Sequence, residues 1–286
     1  MSTETAWRRL PSFDGPAVDL LTGAEGMIAG LASRGQPAIR WSVTDHPALL
    51  LGSSQRSSEA DFAACGAEGA SVHRRRSGGT AVFADGDFLL LDVALPSGHA
   101  LLPANVTEAY RWLGEVWSAA LVELGVEARL MGVEEARATN AALDAEVRRV
   151  CFGGVSPYEV FVGEHKIVGL AQIRRRPGGV LQAGIYMRWQ PERVSGLLSG
   201  SPEEGARRTA LLAPRACGLR DVHVAAADFD DVMAAWEAAL RTRLRVRLED
   251  DRWADDEQAA MAAARERYTA IEAAEEALAA GQRQHD

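Results

Sequence analysis

Apolar residues recur at helical spacing over residues 15–34, where Val18, Leu21, Met27, Ile28 and Leu31 fall near one face. The first expected element is therefore an amphipathic helix. Short apolar runs at 38–42 and 48–51 read as strands, and Gly52-Ser53-Ser54 reads as the turn after the second. From Val72 to Leu95 the chain alternates strand-like segments (74–76, 80–83 and 88–93) with glycine turns. Asn105, with Glu108 three residues on, predicts a boxed helix cap. The helix that follows, about 106–124, buries Tyr110, Leu113, Trp117, Ala120 and Leu124. Further strands are expected at 158–162, 166–174 and 179–188, with turns at Gly163-Glu164 and Pro177-Gly178-Gly179. Ser201-Pro202-Glu203-Glu204 opens another helix with proline at its first position. Asp228 caps one that runs to about Leu244, and the Ala/Glu-rich residues 256–280 read as helical.

Strands gather centrally with helices around them, and they do not alternate as regular βαβ units. The expected class is α+β, with a mixed, largely antiparallel central sheet flanked by helices. The 286 residues suit one large domain, 1–250, with a helical C-terminal tail, 251–286.

Charge and cysteine usage narrow the function classes. The net charge of −9 argues against nucleic acid as a partner, which would need a broad basic face. The stretch His73-Arg74-Arg75-Arg76 is nonetheless a local basic patch. No apolar run approaches the ~20 residues of a membrane span. No apolar stretch of a signal peptide follows Arg8 and Arg9. A cytoplasmic protein with no membrane partner is expected. Cys65, Cys151 and Cys217 are too few for a disulfide framework and fit a reducing compartment. None has metal-ligand spacing, so no metal site is expected.

Of the 31 basic side chains, Lys166 is the only lysine. An ammonium can release and retake a proton at a reactive centre, whereas a guanidinium stays charged. A lysine surviving where arginine serves every other basic role hints at chemistry, and chance survival is the plainer alternative. Cys151 lies fifteen residues before it. A cation beside a thiol favours the nucleophilic thiolate, and a lysine there can also shuttle protons. A buried, inert cysteine is the competing reading. A second constellation is Arg74-Arg75-Arg76-Ser77-Gly78-Gly79-Thr80. Its glycines let backbone N–H groups approach a ligand, and its arginines can hold an anion. A tight turn with solvated arginines fits the same residues. It is no P-loop, because no GKS or GKT ending leads into a helix. In Lys166-Ile167-Val168-Gly169-Leu170-Ala171-Gln172, Gly169 marks a close approach to the strand backbone. His73, His165 and Glu159 are expected on strand or turn surfaces, with Cys65 and Cys217 in structural roles.

Together these segments resemble the lipoate–protein ligase and octanoyltransferase superfamily, which is related in fold to biotin–protein ligase and to class II aminoacyl-tRNA synthetases. The likeness runs from about residue 15 to 250. Arg40-Trp41 and Gly52-Ser53-Ser54-Gln55 look like the family's early strand pair, and Arg74-Arg75-Arg76-Ser77-Gly78-Gly79 fits its RRxSGG signature. Cys151-Phe152, Ser156-Pro157-Tyr158-Glu159 and the Lys166–Gln172 segment follow in family order, and Leu181-Gln182-Ala183-Gly184 stands where the family has LQHG.

The resemblance implies attachment of an eight-carbon acyl group to a lysine of a carrier domain. Transferases of the ligase-like branch take octanoate from acyl carrier protein through an acyl-cysteine and need no cofactor. Lipoate ligases activate free lipoate with ATP and Mg²⁺. Cys151 and Lys166 match the transferase pair. The implied substrate-binding residues are Arg74, Arg75, Ser77, Gly78, Gly79, Thr80, Gly169, Leu170, Ala171, Gln182 and Gly184. Val82, Val168, Leu170 and Ile185 are candidates for an acyl tunnel, and backbone N–H groups near Gly78-Gly79 or Gly169 for an oxyanion hole. The acceptor would be a lipoyl carrier domain, either the glycine cleavage H protein or a 2-oxoacid dehydrogenase E2. The chain departs from the family pattern at Thr80, Ala84-Asp85 and Phe88, where ligases favour Gly, His-Asp and Asn. It departs again at Leu170 and Ala183, where Ser and His are usual. The change at Phe88 counts against ATP activation. The departures also leave open a ligase and a carrier-binding homologue without turnover.

Overall fold

The computed structural model describes residues 5–222 and 227–271. Its twelve named strands, in chain order, are β1 (Thr5–Arg9), β2 (Phe13–Gly15), β3 (Ala38–Thr44), β4 (Ala48–Leu51), β5 (Ser71–Arg74), β6 (Val82–Ala84), β7 (Phe88–Pro96), β8 (Arg129–Leu130), β9 (Val160–Val162), β10 (His165–Arg175), β11 (Gly178–Tyr186) and β12 (Val246–Asp250). Nine share one sheet in the order β12-β1-β3-β7-β11-β10-β9-β8, with β2 beside β3. From β3 across to β8 every pairing is antiparallel, whereas β1 pairs parallel with both β12 and β3, and β2 pairs parallel with β3. The sheet is therefore mixed and largely antiparallel. A smaller sheet, β5-β4-β6, stands beside it.

The helices are α1 (Ala17–Arg34), α2 (Phe62–Ala67), α3 (Ala109–Glu123), α4 (Val133–Ala141), α5 (Ala145–Arg148), α6 (Pro191–Gly196), α7 (Pro202–Leu212), α8 (Leu219–Val222), α9 (Phe229–Leu244) and α10 (Asp255–Ala264). None is long and apolar enough to cross a membrane among the described residues. Period-2 alternation divides the large sheet into two faces. Leu89, Leu91, Val93, Val168, Leu170, Ala183 and Ile185 point to the side of α3 and α9. There Trp41 meets Trp117 and Trp236 edge-on, with ring centroids 6.0 and 5.5 Å away. The opposite face carries α1, and α10 packs on α1 from outside.

Several local expectations are corrected. The strand read at 74–76 is Ser71–Arg74, because Arg75 turns inward to begin a loop that continues to Thr80. The helix after Asn105 is Ala109–Glu123. Asn105 Oδ1 does accept from the N–H groups of Thr107 and Glu108, but Glu108 does not close the box. Its carboxylate is held by Arg111 and the Tyr158 hydroxyl. Ser201 and Asp228 cap their helices as expected, and the structure adds a capping box at each, with Glu204 and Asp231. Of the helix read at 256–280, residues 272–280 lie outside the described residues, and the described part ends in a 3₁₀ turn, Arg265–Tyr268. His73 is buried rather than surface-facing, with Nδ1 2.7 Å from the Tyr268 carbonyl oxygen.

The segment after β12 is fastened by buried charge. Arg8 Nη2 donates to Glu257 Oε2 at 2.9 Å, and Arg8 Nε donates to Asp251 at 2.6 Å. Arg8 and Glu257 are both buried. Removing one partner of such a pair strands the other charge away from water. Glu257→Ala is therefore expected to cost about 3–5 kcal/mol of unfolding free energy in urea titration. A loss under about 1 kcal/mol, the range of an exposed pair, would place Arg8 in solvent.

Candidate functional site

The loop between β5 and β6 is shaped by one arginine. Arg75 is buried, donating Nη1 to Ser77 Oγ at 2.6 Å and Nη2 to the Thr80 carbonyl at 2.8 Å. It thereby folds residues 75–80 around its guanidinium. Gly79 has φ +90°, and a Cβ there would sit 2.8 Å from Arg75 Nη2 and 3.3 Å from Cys151 Sγ. Glycine is required on both counts, and the thiol lies directly against this loop. Arg74 turns the other way, donating Nε to the Gln55 carbonyl, and Arg76 is exposed. Of the arginine triplet, only Arg75 enters the site.

Cys151 is positioned by the same strand-and-loop unit. Val150 bridges Ala81 in parallel, and Cys151 N donates to the Ala81 carbonyl at 2.8 Å. The thiol is partly exposed. By contrast, burial pushes the Cys217 thiol up to about 12, which leaves it inert.

Lys166 is the second residue of β10 and is 1% exposed. The β10–β9 register shifts between Lys166 and Val168, and such an irregularity re-aims a side chain. Nζ donates to the Cys151 carbonyl oxygen at 2.9 Å, pairs with Glu159 Oε2 at 2.8 Å, and lies 5.6 Å from the Phe152 ring centroid. Cys151 and Lys166, expected as a pair, are thus joined through the cysteine backbone. Glu159, expected on a strand surface, is instead buried. Its Oε1 accepts from Leu170 N at 3.1 Å and its Oε2 from Ser156 N at 2.7 Å. Its place in Ser156-Pro157-Tyr158-Glu159 was visible in the sequence, but nothing in alternation alone signalled burial. His165 is exposed, as expected.

Two clefts meet at Cys151. The first is a narrow, largely apolar cleft. Its walls are apolar: Leu20 and Leu21 from α1, Leu50 and Val82 from the small sheet, and Phe88 and Leu90 from β7. Gly169, Gly184 and Leu90 lie in one cross-strand row of its floor. A side chain at 184 would collide with the Phe88 ring, so the glycine is what admits that aromatic wall. Beside this row, Gln182 lines the cleft and donates Nε2 to Asp92 at 2.7 Å. Burial pushes the Asp92 carboxyl up to about 6, against the pull of Gln182 and Arg40.

The second cleft is larger, about 920 Å³, and more polar, bordered by Gly78, Gly79, Thr80, Tyr110, Arg148 and Lys166 among others. Cys151, Leu170 and Ala171 line both clefts. The expected binding residues therefore gather with two exceptions: Arg74 faces away, and Ser77 acts through Arg75. Two of the four tunnel candidates, Val82 and Leu170, border the apolar cleft. Val168 and Ile185 do not: they pack inside the core on the α3 and α9 face, whereas Leu170, on the same face of β10, lies far enough along the strand to reach the clefts. Ala183 faces that way too, so its departure from the family's His lies off the cleft. Leu20, Leu21, Phe152 and Tyr110 are lining residues that sequence reasoning missed: Leu21 and Tyr110 read as parts of helix faces, and Leu20 and Phe152 were given no lining role.

The arrangement matches known proteins over most of the chain. Residues 25–241 match the lipoyl protein ligase A/B catalytic domain. The chain is 32% identical over 249 residues to octanoyltransferase LipM of Kyrpidia tusciae, covering 85% of this chain and 89% of that one. It is 30% identical over 262 residues to octanoyltransferase LipM of an Exiguobacterium species, covering 90% and 93%. Among solved structures, the bi-partite lipoate protein ligase of Thermoplasma acidophilum superposes with a TM-score of 0.72 at 20% identity, covering 92% of each chain. A lipoate-protein ligase A bound with ATP superposes with a TM-score of 0.70 at 19% identity, covering 93% and 95%. At those identities the structures speak for the fold, and the sequence matches carry the conclusion that this chain belongs to the lipoyl protein ligase A/B catalytic-domain family.

Proposed function

We propose that this protein is an octanoyltransferase. It moves an octanoyl group from the thioester of an acyl carrier protein to a lysine of a lipoyl carrier domain, by way of a thioester on Cys151. The observation that carries this reading is the position of the Cys151 thiol. It is partly exposed where an apolar cleft meets a polar one, beside a buried lysine. The apolar cleft suits the acyl chain. The polar cleft suits whatever delivers it and whatever receives it.

In the first half-reaction Cys151 Sγ attacks the donor carbonyl. The new S–C bond forms, the donor C–S bond breaks, and the thiol proton passes through Lys166 to the departing thiol. In the second, an acceptor amine attacks the Cys151 thioester. The amide N–C bond forms, the Cys151 S–C bond breaks, and the amine proton returns through Lys166 to the sulfur. Splitting one transfer into two thioester steps lowers each barrier. Backbone N–H groups of Gly78-Gly79, which border the polar cleft, would receive the developing oxyanion, and losing one such donor typically costs a factor of about 100–1000. The glycine cleavage H protein and the E2 subunit of a 2-oxoacid dehydrogenase are the acceptors to try.

The test is intact mass after mixing the protein with octanoyl–acyl carrier protein in the absence of ATP. The expected result is one added octanoyl group, cleaved by neutral hydroxylamine and passed on to a lipoyl carrier domain. No adduct, with carrier modification only when lipoate, ATP and Mg²⁺ are supplied together, would replace the transferase by a ligase.

A further inference from the structure

The sequence motif that holds Glu159 has no part in the two half-reactions as written, yet it contains a strained backbone. Tyr158 has φ +68°, one of only two non-glycine residues with positive φ among the described residues. Such a conformation costs roughly 1–3 kcal/mol and persists only where its surroundings enforce it. Here Tyr158 N donates to the Met131 carbonyl, and the hydroxyl is clamped between Glu108 and Arg111, each at 2.7 Å. The backbone carbonyl of Tyr158 lies close against Gly114 of α3. This strained turn sets the residue that follows it, Glu159, facing inward.

Once inside, the Glu159 carboxylate is fully engaged. It accepts from Ser156 N and Leu170 N, and pairs with Lys166 Nζ at 2.8 Å. Lys166 is in turn held by the Cys151 carbonyl at 2.9 Å. An ammonium has three N–H donors. Two are spent on Glu159 and the Cys151 carbonyl, so one remains for the reacting groups.

We infer that Glu159 is a positioning residue for the transfer: its carboxylate fixes the Lys166 ammonium against the Cys151 backbone, so that a single N–H is presented to the thiol and its acyl group. This rests on the octanoyltransferase reading. A surface ion pair would add little. A carboxylate that two backbone N–H groups hold in place cannot follow the lysine away, so the ammonium is held as well. The other titratable or charged groups facing this end of the clefts are Cys151, Tyr110 from α3, Arg148 from α5 and Arg75 from the loop. Burial raises the Tyr110 hydroxyl above its ordinary value, which keeps it neutral over the working range.

Because Lys166 is the only lysine, protein grown on ¹⁵N-lysine carries a single side-chain nitrogen signal. The experiment follows that signal in the full chain and in Glu159→Gln. Beside it, single-turnover octanoylation of Cys151 by octanoyl–acyl carrier protein is read by mass. The wild-type adduct serves as the control: its absence would sink the transferase reading itself and not this inference. The expected result is acylation about 100-fold slower at neutral pH, in the range of lost general acid–base assistance. The Lys166 ammonium N–H signal, protected in the wild type by its two fixed partners, should be lost to solvent exchange in the variant. A folded Glu159→Gln protein whose lysine signal and acylation rate stay within about threefold of wild type would overturn the inference. Should that variant not fold, Glu159→Asp, which keeps the charge but draws it back by one methylene, is read against the same expectation. A wild-type Lys166 signal that exchanges with solvent like a free surface amine overturns it whatever either variant does.

Discussion

Cys151→Ser is expected to abolish the hydroxylamine-sensitive octanoyl adduct and to lower turnover by about four orders of magnitude or more, the scale seen when a covalent nucleophile is removed. The change exchanges one small side chain for another. The position is partly exposed, its backbone N–H still reaches the Ala81 carbonyl, and Gly79 still leaves room for the side chain. The unfolding midpoint should therefore be that of the wild type, and lost activity then reports on sulfur. A serine hydroxyl is far harder to ionise than a thiol, and a neighbouring ammonium does not make up the difference. The other two cysteines are poor substitutes. Cys65 is buried, and burial drives the Cys217 thiol well away from ionisation. The outcome that would sink the proposal is a Cys151→Ser protein with full turnover. A thioester adduct persisting in that variant would instead move the acyl group to Cys65 or Cys217.

Reading the chain without its structure recovers elements whose signals are local. The α1 stripe, the Ser201 and Asp228 caps, and the β10–β11 hairpin are each written within a few residues. So is the loop at Gly78-Gly79, because an unusual density of glycine and arginine is itself a local signal. What stayed hidden depends on where in the sheet a residue sits and on what crosses it there. Val168 and Leu170 are equally apolar and share one face of β10, and only Leu170 lies far enough along the strand to border the clefts. Leu21 read only as part of the α1 stripe and Leu20 drew no reading, and the cleft beneath them exists because Gly169 and Gly184 leave its floor low. Glu159 was misplaced for a different reason. A carboxylate is seldom buried without a partner, and its partner lies beyond a turn, at the start of the next strand.

Lys166 yields the second large effect, and two substitutions separate its charge from its proton. Lys166→Met removes both and leaves Glu159 buried with no cation. A loss of about 3–5 kcal/mol in stability is expected alongside lost activity. Low activity in that variant alone would thus be ambiguous. Adding Glu159→Gln removes the stranded charge. The double variant should recover most of the stability and none of the turnover, which assigns the lost activity to chemistry. Lys166→Arg keeps a cation. A guanidinium can still stabilise a thiolate, so iodoacetamide should alkylate Cys151 at a rate within an order of magnitude of wild type. It cannot release and retake a proton near neutrality, so octanoyl transfer to the carrier lysine should fall by about 100- to 10,000-fold. The acylation and deacylation half-reactions both move a proton through Nζ, and both should slow. If Lys166→Arg alkylates and transfers equally well, the lysine acts only as a charge and the proton travels by another route. If it transfers poorly while remaining reactive toward iodoacetamide, the proton is what the only lysine in an arginine-rich chain supplies.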